Sequence, residues 1–236
     1  MRKLILLPAL LALLVSCGGG GEKPFTESKN AAVCVWDNVS LKGTPEEAGK
    51  WLSAISVGET VLYLKETATD ETGKKPVNYI KVRLKDSKEG WVQSDFVILE
   101  SRPAAIIDQT PIYSRPDLLN KTDKFFGQMD IVAVKSESNG FIEVAGKRTE
   151  GKWIETAWIK DQAVTYADVD IAVAKFAKKA LEIKDEPNKI KALNEITDNP
   201  DLKESIFISR LIVDDEVIVE EQVEETIEEG NEAETE

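Results

Sequence analysis

The side chains able to do chemistry in this sequence are defined first by an absence, for there is no histidine. That removes the usual neutral-pH general base, the Ser-His and Cys-His nucleophile pairs and the histidine-containing zinc sites. Carboxylates occur in adjacent pairs, Glu46-Glu47, Asp70-Glu71 and Asp214-Asp215. These pairs sit in polar segments without an apolar pocket to raise a pKa toward neutrality, so general-acid work is not expected of them. The acidic run after Val213 lacks the Asp-x-Asp-x-Asp-Gly spacing of a calcium loop. No catalytic residue, metal site or cofactor is therefore assigned, and the function expected is binding without catalysis. What remains are Cys17, Cys34 and the aromatic side chains Trp36, Trp51, Trp91, Tyr113, Trp153 and Trp158. Trp51 and Trp153 stand in polar, loop-like surroundings and, with Tyr113, are the candidate ligand-binding residues, because peptide grooves are commonly walled by aromatic rings. Trp91 and Trp158 fall at matching strand positions and read as structural.

Cys17 closes a recognisable leader. Arg2-Lys3 precedes the apolar run Leu4 to Val15, too short to span a bilayer, which reads as a signal peptide over residues 1–16. The segment Leu14-Val15-Ser16-Cys17-Gly18 resembles the lipobox of bacterial lipoproteins, and that resemblance implies a mature N-terminus at an acylated Cys17. Two or three acyl chains anchor a protein stably where one does so only marginally. The expected partner at this end is thus a membrane of the cell envelope, and the resemblance implies the outer over the inner one, since Gly18 stands after the cysteine where the sorting rule of some bacterial lipoproteins has an Asp for retention. Residues 17–30 form a Gly-rich, polar tether whose last 13 residues have an r.m.s. span of roughly 20 Å. Cys34 lies in the apolar run Ala31-Ala32-Val33-Cys34-Val35-Trp36 and is expected to be a buried small hydrophobe, not a reactive thiol.

Charge narrows the partner further. With 30 Lys+Arg against 43 Asp+Glu the formal net charge is −13, a poor balance for neutralising phosphates, so no nucleic acid is expected. Residues 214–236 hold 12 acidic side chains and no basic one, which reads as a solvated, disordered acidic tail. The 236 residues suit one large or two small domains.

The elements that must position these residues are mostly short strands, and they come twice. Leu41-Lys42-Gly43-Thr44-Pro45, Gly58-Glu59-Thr60-Val61-Leu62-Tyr63-Leu64, Tyr79-Ile80-Lys81-Val82, Gly90-Trp91-Val92 and Phe96-Val97-Ile98 make one set. Ile112-Tyr113-Ser114-Arg115-Pro116, Gly127 to Val134, Phe141-Ile142-Glu143-Val144, Ala157-Trp158-Ile159 and Ala163-Val164 come after it in the same order. Segments 65–78, 83–89, 135–140 and 145–156 read as turn-like. The pattern resembles the bacterial Src-homology-3 (SH3b) family, most specifically in Gly90-Trp91-Val92 after Tyr79-Ile80-Lys81-Val82. Copy two departs from it, with Ala157 in place of the glycine. The resemblance implies two small SH3-like β-barrels over 33–99 and 104–165, of five or six strands each, and a binding role toward cell-wall peptides. Val61, Leu62/Leu64, Ile80, Val82 and Val92 are the expected inward set.

From Tyr166 the period changes to 3.6. Val169, Ala172/Val173, Phe176, Ala180 and Leu181/Ile183 form one face, with Asp168 or a neighbour as cap. A second helix is expected near Pro187 with Ile190, Leu193 and Ile196 inward, and a third at Asn199-Pro200 with Leu202, Ile206 and Phe207 facing its partners. The fold class expected is mainly β, with two SH3-like barrels, a helical region over 166–213 and the tail. Three functions fit: a membrane-anchored module that binds a cell-wall (peptidoglycan) or protein peptide, an envelope assembly protein docking a partner through its helices, and a surface-exposed adhesin-type lipoprotein.

Overall fold

The computed structural model describes residues 29–211; the expected signal peptide over 1–16, Cys17, most of the expected tether over 17–30 and the acidic run 214–236 lie outside the described residues. The protein is mainly β. Strands β1 (Ala31–Cys34), β2 (Val39–Lys42), β3 (Trp51–Ile55), β4 (Thr60–Asp70), β5 (Val77–Arg83), β6 (Glu89–Gln93) and β7 (Val97–Leu99) form one antiparallel sheet in the order β3-β2-β6-β5-β4-β1-β7. Strands β8 (Arg102–Ile106), β9 (Thr110–Tyr113), β10 (Lys121–Phe126), β11 (Ile131–Ser138), β12 (Phe141–Lys147), β13 (Ile154–Lys160) and β14 (Val164–Thr165) form a second, ordered β10-β9-β13-β12-β11-β8-β14. The two orders are the same, and in each a 3-10 turn precedes the last strand. Each sheet has seven strands, more than the five or six expected.

Both sheets curl. A flat sheet of this size would be about 29 Å wide at about 4.8 Å per strand. Yet Ile55 on edge strand β3 and Val97 on edge strand β7 belong to one core, with Cys34, Leu41, Val61, Val82 and Val92. Phe126 on β10 and Val164 on β14 likewise share the second core. Leu62 and Leu64 are only half-buried; Tyr63 packs on the core instead, because it shares the face of Val61 two residues away. The turn-like segments are shorter than expected: β4 and β5 run to Asp70 and from Val77, and β12 and β13 run to Lys147 and from Ile154. In β4 a register shift between Tyr63 and Thr67, with Lys65 at φ 63°, breaks the alternation that marks a strand in sequence.

The repeat is also offset from its sequence alignment. Gly58 N donates to Cys34 O, and the corresponding bond in copy two is made by Met129 N to Ile106 O. Gly58 therefore matches Met129, both with positive φ, and not Gly127. Glu59 matches Asp130, and each carboxylate accepts from the backbone N–H three residues earlier.

Strand β1 explains its continuous apolar run by having both faces covered. Ala32 and Cys34 enter the first core, while Val33 and Val35 pack against Ala133 of β11 and join the two sheets. Burying each valine contributes about 1.5–3 kcal/mol. Cys34 is fully buried, its Sγ donates to Trp36 O at 3.1 Å, and burial pushes its thiol up to about 12.

Helices α1 (Asp168–Leu181) and α2 (Glu186–Thr197) lie across the second sheet, sharing a core with Ala105, Met129 and Ile131. The buried face of α1 is Ile171, Val173, Ala174, Ala177 and Ala180, whereas Phe176 and Leu181 are exposed. Small residues win the interface because they let the helix approach the sheet closely. No side chain caps α1 at its N-cap, Ala167; instead the buried Asp170 accepts from Thr165 Oγ1 at 2.6 Å and Ile206 N at 3.0 Å, tying the helix to the segment after α2. Asp185 caps α2, with Leu193 and Ile196 buried and Ile190 half-buried. In place of a third helix there are two 3-10 turns, Pro200–Leu202 and Ile208–Arg210; Leu202 and Phe207 are buried and Ile206 is exposed. No helix among the described residues is long and apolar enough to cross a membrane.

Candidate functional site

Where the two sheets and the helices meet, the surface opens into a cleft of about 770 Å³. Its wall from the first sheet is Val35, Trp36, Asp37 and Val57, at the end of β1 and the turn before β4. From the second sheet come Phe125, the turn Gly127–Ile131 and the β12–β13 loop from Lys147 to Glu150. Helix α1 adds Lys175, Lys178, Lys179 and Leu181, while Leu193, Arg210 and Leu211 close the far end. Apolar side chains are thus interleaved with six cationic and four carboxylate groups. The described residues as a whole hold 27 basic and 29 acidic side chains, so the cleft carries an excess of cations on a nearly neutral body.

The wall is held by one carboxylate. Asp130, 2% exposed, accepts from Gly127 N at 2.7 Å, Thr149 N at 3.1 Å, Thr149 Oγ1 at 2.8 Å and Lys178 Nζ. It therefore fastens the turn before β11, the β12–β13 loop and α1 to one point. Gly58 closes the junction from the other sheet: at φ 78° it lies so near Ile131 and Ile171 that a Cβ would sit 3.1 and 3.2 Å from their Cγ2 atoms. Across the cleft, Lys147 Nζ stands 4.7 Å from the centre of the Trp36 ring, and Lys179 pairs with Asp37 at 3.1 Å. Trp36 itself rests on Phe96, ring centres 5.7 Å apart. Arg148 forks onto Glu155, which also accepts from Lys124; these contacts, the Lys124 bond foremost, hold the Glu155 carboxyl below its usual range. Lys147 and Lys175 carry no carboxylate partner among the described residues, each lying over an aromatic ring. This chemistry suits reversible capture of an extended, anionic chain with apolar side groups, by rim cations over an apolar floor.

The residues singled out from sequence lie elsewhere. Trp51 starts β3, 61% exposed, on the first sheet. Trp153, 75% exposed, precedes β13 on the second. Neither lines the cleft. Tyr113 is buried, packed edge-on against Phe141 at 5.0 Å, so it serves the fold and offers no face to a ligand. In the repeat Tyr113 takes the position of Lys42: Tyr113 pairs with Lys121 and Trp158 as Lys42 pairs with Trp51 and Trp91. Trp91 and Trp158 are equivalent and half-buried. The carboxylate of Asp70 is structural as well: it accepts from Thr72 Oγ1, Thr72 N and Glu47 N, bonds that hold it below the usual carboxylate range and clasp the loop 43–50 to the β4–β5 hairpin. Sequence reasoning missed Asp130, Lys147 and Lys175; the lysines at 175, 178 and 179 on one helix face were the available signal.

No family model matches the chain, and no curated protein matches it. Among solved structures it is similar to NlpC2 from Trichomonas vaginalis, at 13% identity and a TM-score of 0.24, over 66% of this chain and 56% of that one. NlpC1 from the same organism gives 14% identity and a TM-score of 0.24 over 73% and 59%. The endolysin LysPBC5 CBD gives 16% identity and a TM-score of 0.21 over 61% and 96%. The chain spans less than two thirds of the length of the two Trichomonas vaginalis proteins.

Proposed function

We propose that this protein is a non-catalytic binding module of the bacterial cell envelope, a tandem SH3-like lipoprotein anchored through acyl chains on Cys17, which captures a cell-wall or protein peptide in the cleft between its two sheets. The observation that carries the reading is the cleft's composition: an apolar floor shared by both repeats, rimmed by Lys147 and Lys175, whose charges no carboxylate among the described residues neutralises. The absence of histidine and the structural employment of Asp70 and Asp130 favour binding over catalysis. Anchorage is supported by the leader sequence ending at Cys17, and by the Gly-rich run after it.

The test is retention of the full chain on purified peptidoglycan sacculi, beside Lys147→Glu and a Trp51→Ala/Trp153→Ala pair, with a Cys17→Ser form assayed for membrane release. Loss in Lys147→Glu alone assigns binding to the cleft. Loss only in the tryptophan pair moves the site to the exposed loops and overturns the cleft. Absence of retention in the parent removes the cell-wall form of the proposal and leaves a protein peptide as ligand. A second reading, partner docking through the helical region, is favoured by one observation: Phe176 on α1 and Ile206 in the segment after α2 remain exposed.

A further inference from the structure

We infer that the loop between β9 and β10 is a membrane-contact site, a rigid leucine tip that enters the headgroup region of a bilayer bearing anionic lipids. Leu118 is 63% exposed and Leu119 92%, the most exposed large apolar side chain among the described residues. Their turn is built and not loose. The Asp117 carboxylate accepts from Leu119 N at 2.8 Å, Asn120 N donates to Asp117 O at 3.2 Å, and Ser114 N donates to Asn120 O at 3.0 Å across the neck of the loop. Behind it Thr122 Oγ1 donates to Ile112 O at 3.0 Å. The two leucines are thus held in one place before any contact, which removes much of the ordering cost of binding.

The fold does not require leucine there. The same loop of the first sheet joins β2 to β3 and closes through the same bond, Gly43 N to Lys50 O at 2.8 Å, yet after the matching proline, Pro45 for Pro116, it carries Glu46-Glu47. The repeat therefore holds its own comparison, an acidic tip on one copy and an apolar tip on the other. Arg115 and Lys121 flank the leucines, both exposed and neither with a carboxylate partner among the described residues, while the Asp117 carboxylate is occupied by the turn. Asp123, the next carboxylate, stands two residues further along β10. A projecting leucine pair between unpaired cations matches a lipid surface, which places an apolar layer beneath anionic headgroups and demands no complementary shape of the side chains that enter it. None of these residues lines the cleft, so the inference does not rest on the peptide-binding reading.

The test uses the full chain in a Cys17→Ser background, carrying a nitrobenzoxadiazole fluorophore at Leu119→Cys or, for comparison, at Lys74→Cys on the β4–β5 hairpin; the buried Cys34 stays unlabelled, which peptide mass verifies. Vesicles contain equal parts of phosphatidylglycerol and phosphatidylcholine, with or without a doxyl-lipid quencher, and the bound fraction is read. Two label positions on the same chain separate the loop from any attachment through residues 1–16. The label at 119 is expected to emit further to the blue and to be quenched at least about threefold more than the label at 74. Leu118→Ser beside it is expected to lower that quenching at least about twofold. Arg115→Glu/Lys121→Glu, or about 0.5 M salt, where the screening length is a few ångströms, is expected to lower it at least about threefold. The altered side chains are all exposed, so circular dichroism is expected to stay unchanged. Equal quenching at both positions overturns the inference and leaves the leucine pair to a protein partner. Quenching at 119 that neither charge reversal nor salt lowers, or the absence of a bound fraction, overturns it as well.

Discussion

Replacing Asp130 by alanine isolates the bond network that shapes the cleft. The carboxylate is 2% exposed and receives two backbone and two side-chain donors. Hydrogen bonds to a charged group contribute about 1.5–3 kcal/mol each, and a buried donor left unpaired costs about 1–3 kcal/mol. Thr149 is exposed and the Lys178 side chain is 30% exposed, so those donors regain water; only Gly127 N and the closure of the loop are lost outright. The expected destabilisation is about 2–4 kcal/mol. Asp37, paired with Lys179 at side-chain exposures of 38% and 48% and accepting one long bond, 3.4 Å, from Val57 N, is the comparison carboxylate, worth about 1 kcal/mol or less because exposed pairs are screened and the backbone bond is weak. Urea unfolding followed by circular dichroism reads the difference. At a slope of about 2 kcal/mol per molar, Asp130→Ala lowers the midpoint by about 1–2 M and Asp37→Ala by less than about 0.5 M. Asp130→Asn keeps the volume but turns an amide toward donors, and falls between them. Equal midpoints for Asp130→Ala and Asp37→Ala refute the reasoning, since the wall would then not depend on the buried carboxylate.

Three more outcomes rest on particular contacts. Gly90→Ala places a Cβ 2.7 Å from Lys42 O and 2.8 Å from Leu41 Cγ, and is expected to cost about 1–3 kcal/mol, whereas Gly73→Ala, whose nearest neighbour would be 3.6 Å away, is expected to change stability by less than about 1 kcal/mol in urea unfolding. In a Cys17→Ser background, Cys34, its thiol at about 12, is expected to react with a disulfide reagent at pH 8 about 10³-fold more slowly than in urea, from its thiolate fraction alone; a native rate within tenfold of the denatured one contradicts the burial. Asp70, held below its ordinary value by Thr72 and Glu47, adds stability that is complete above about pH 4 and is lost as pH falls through its lower folded value. Thr72→Val is therefore expected to raise the Asp70 carboxyl toward the ordinary range by NMR titration, and Asp70→Asn to flatten the fall in stability below pH 4.

Legibility in the sequence tracked the strength of local periodicity. The mainly β class, the repeated strand order and the burial of Cys34 were readable because alternating residues such as Ile80 and Val82 carry the period-two signal on their own. The offset between copies was not, since Gly58 and Gly127 look equivalent and only the backbone bonds of Met129 reveal the true match. The helical face was misread for a similar reason: Phe176 outweighs Ala174 and Ala177 in any hydrophobic tally, yet close approach of helix to sheet selects the small side chains. The cleft was invisible because it is made where three elements meet, from residues as far apart as Trp36, Lys147 and Arg210. Exposed tryptophans such as Trp51 and Trp153 announce themselves in a sequence, whereas a junction between units has no local signature.

Strand β1 is preceded by Asn30, whose carbonyl accepts from Tyr63 N at 2.8 Å, and is followed by Val35, Trp36 and Asp37 on the cleft wall. A load on something held in the cleft, opposed by an attachment at the N-terminal side, would run along this strand. Because β1 is laddered to β4 on one side and β7 on the other, pulling it lengthwise must shear both ladders together instead of unzipping one bond at a time. The strand would then serve as the molecule's tension member, with rupture forces set by its two neighbours.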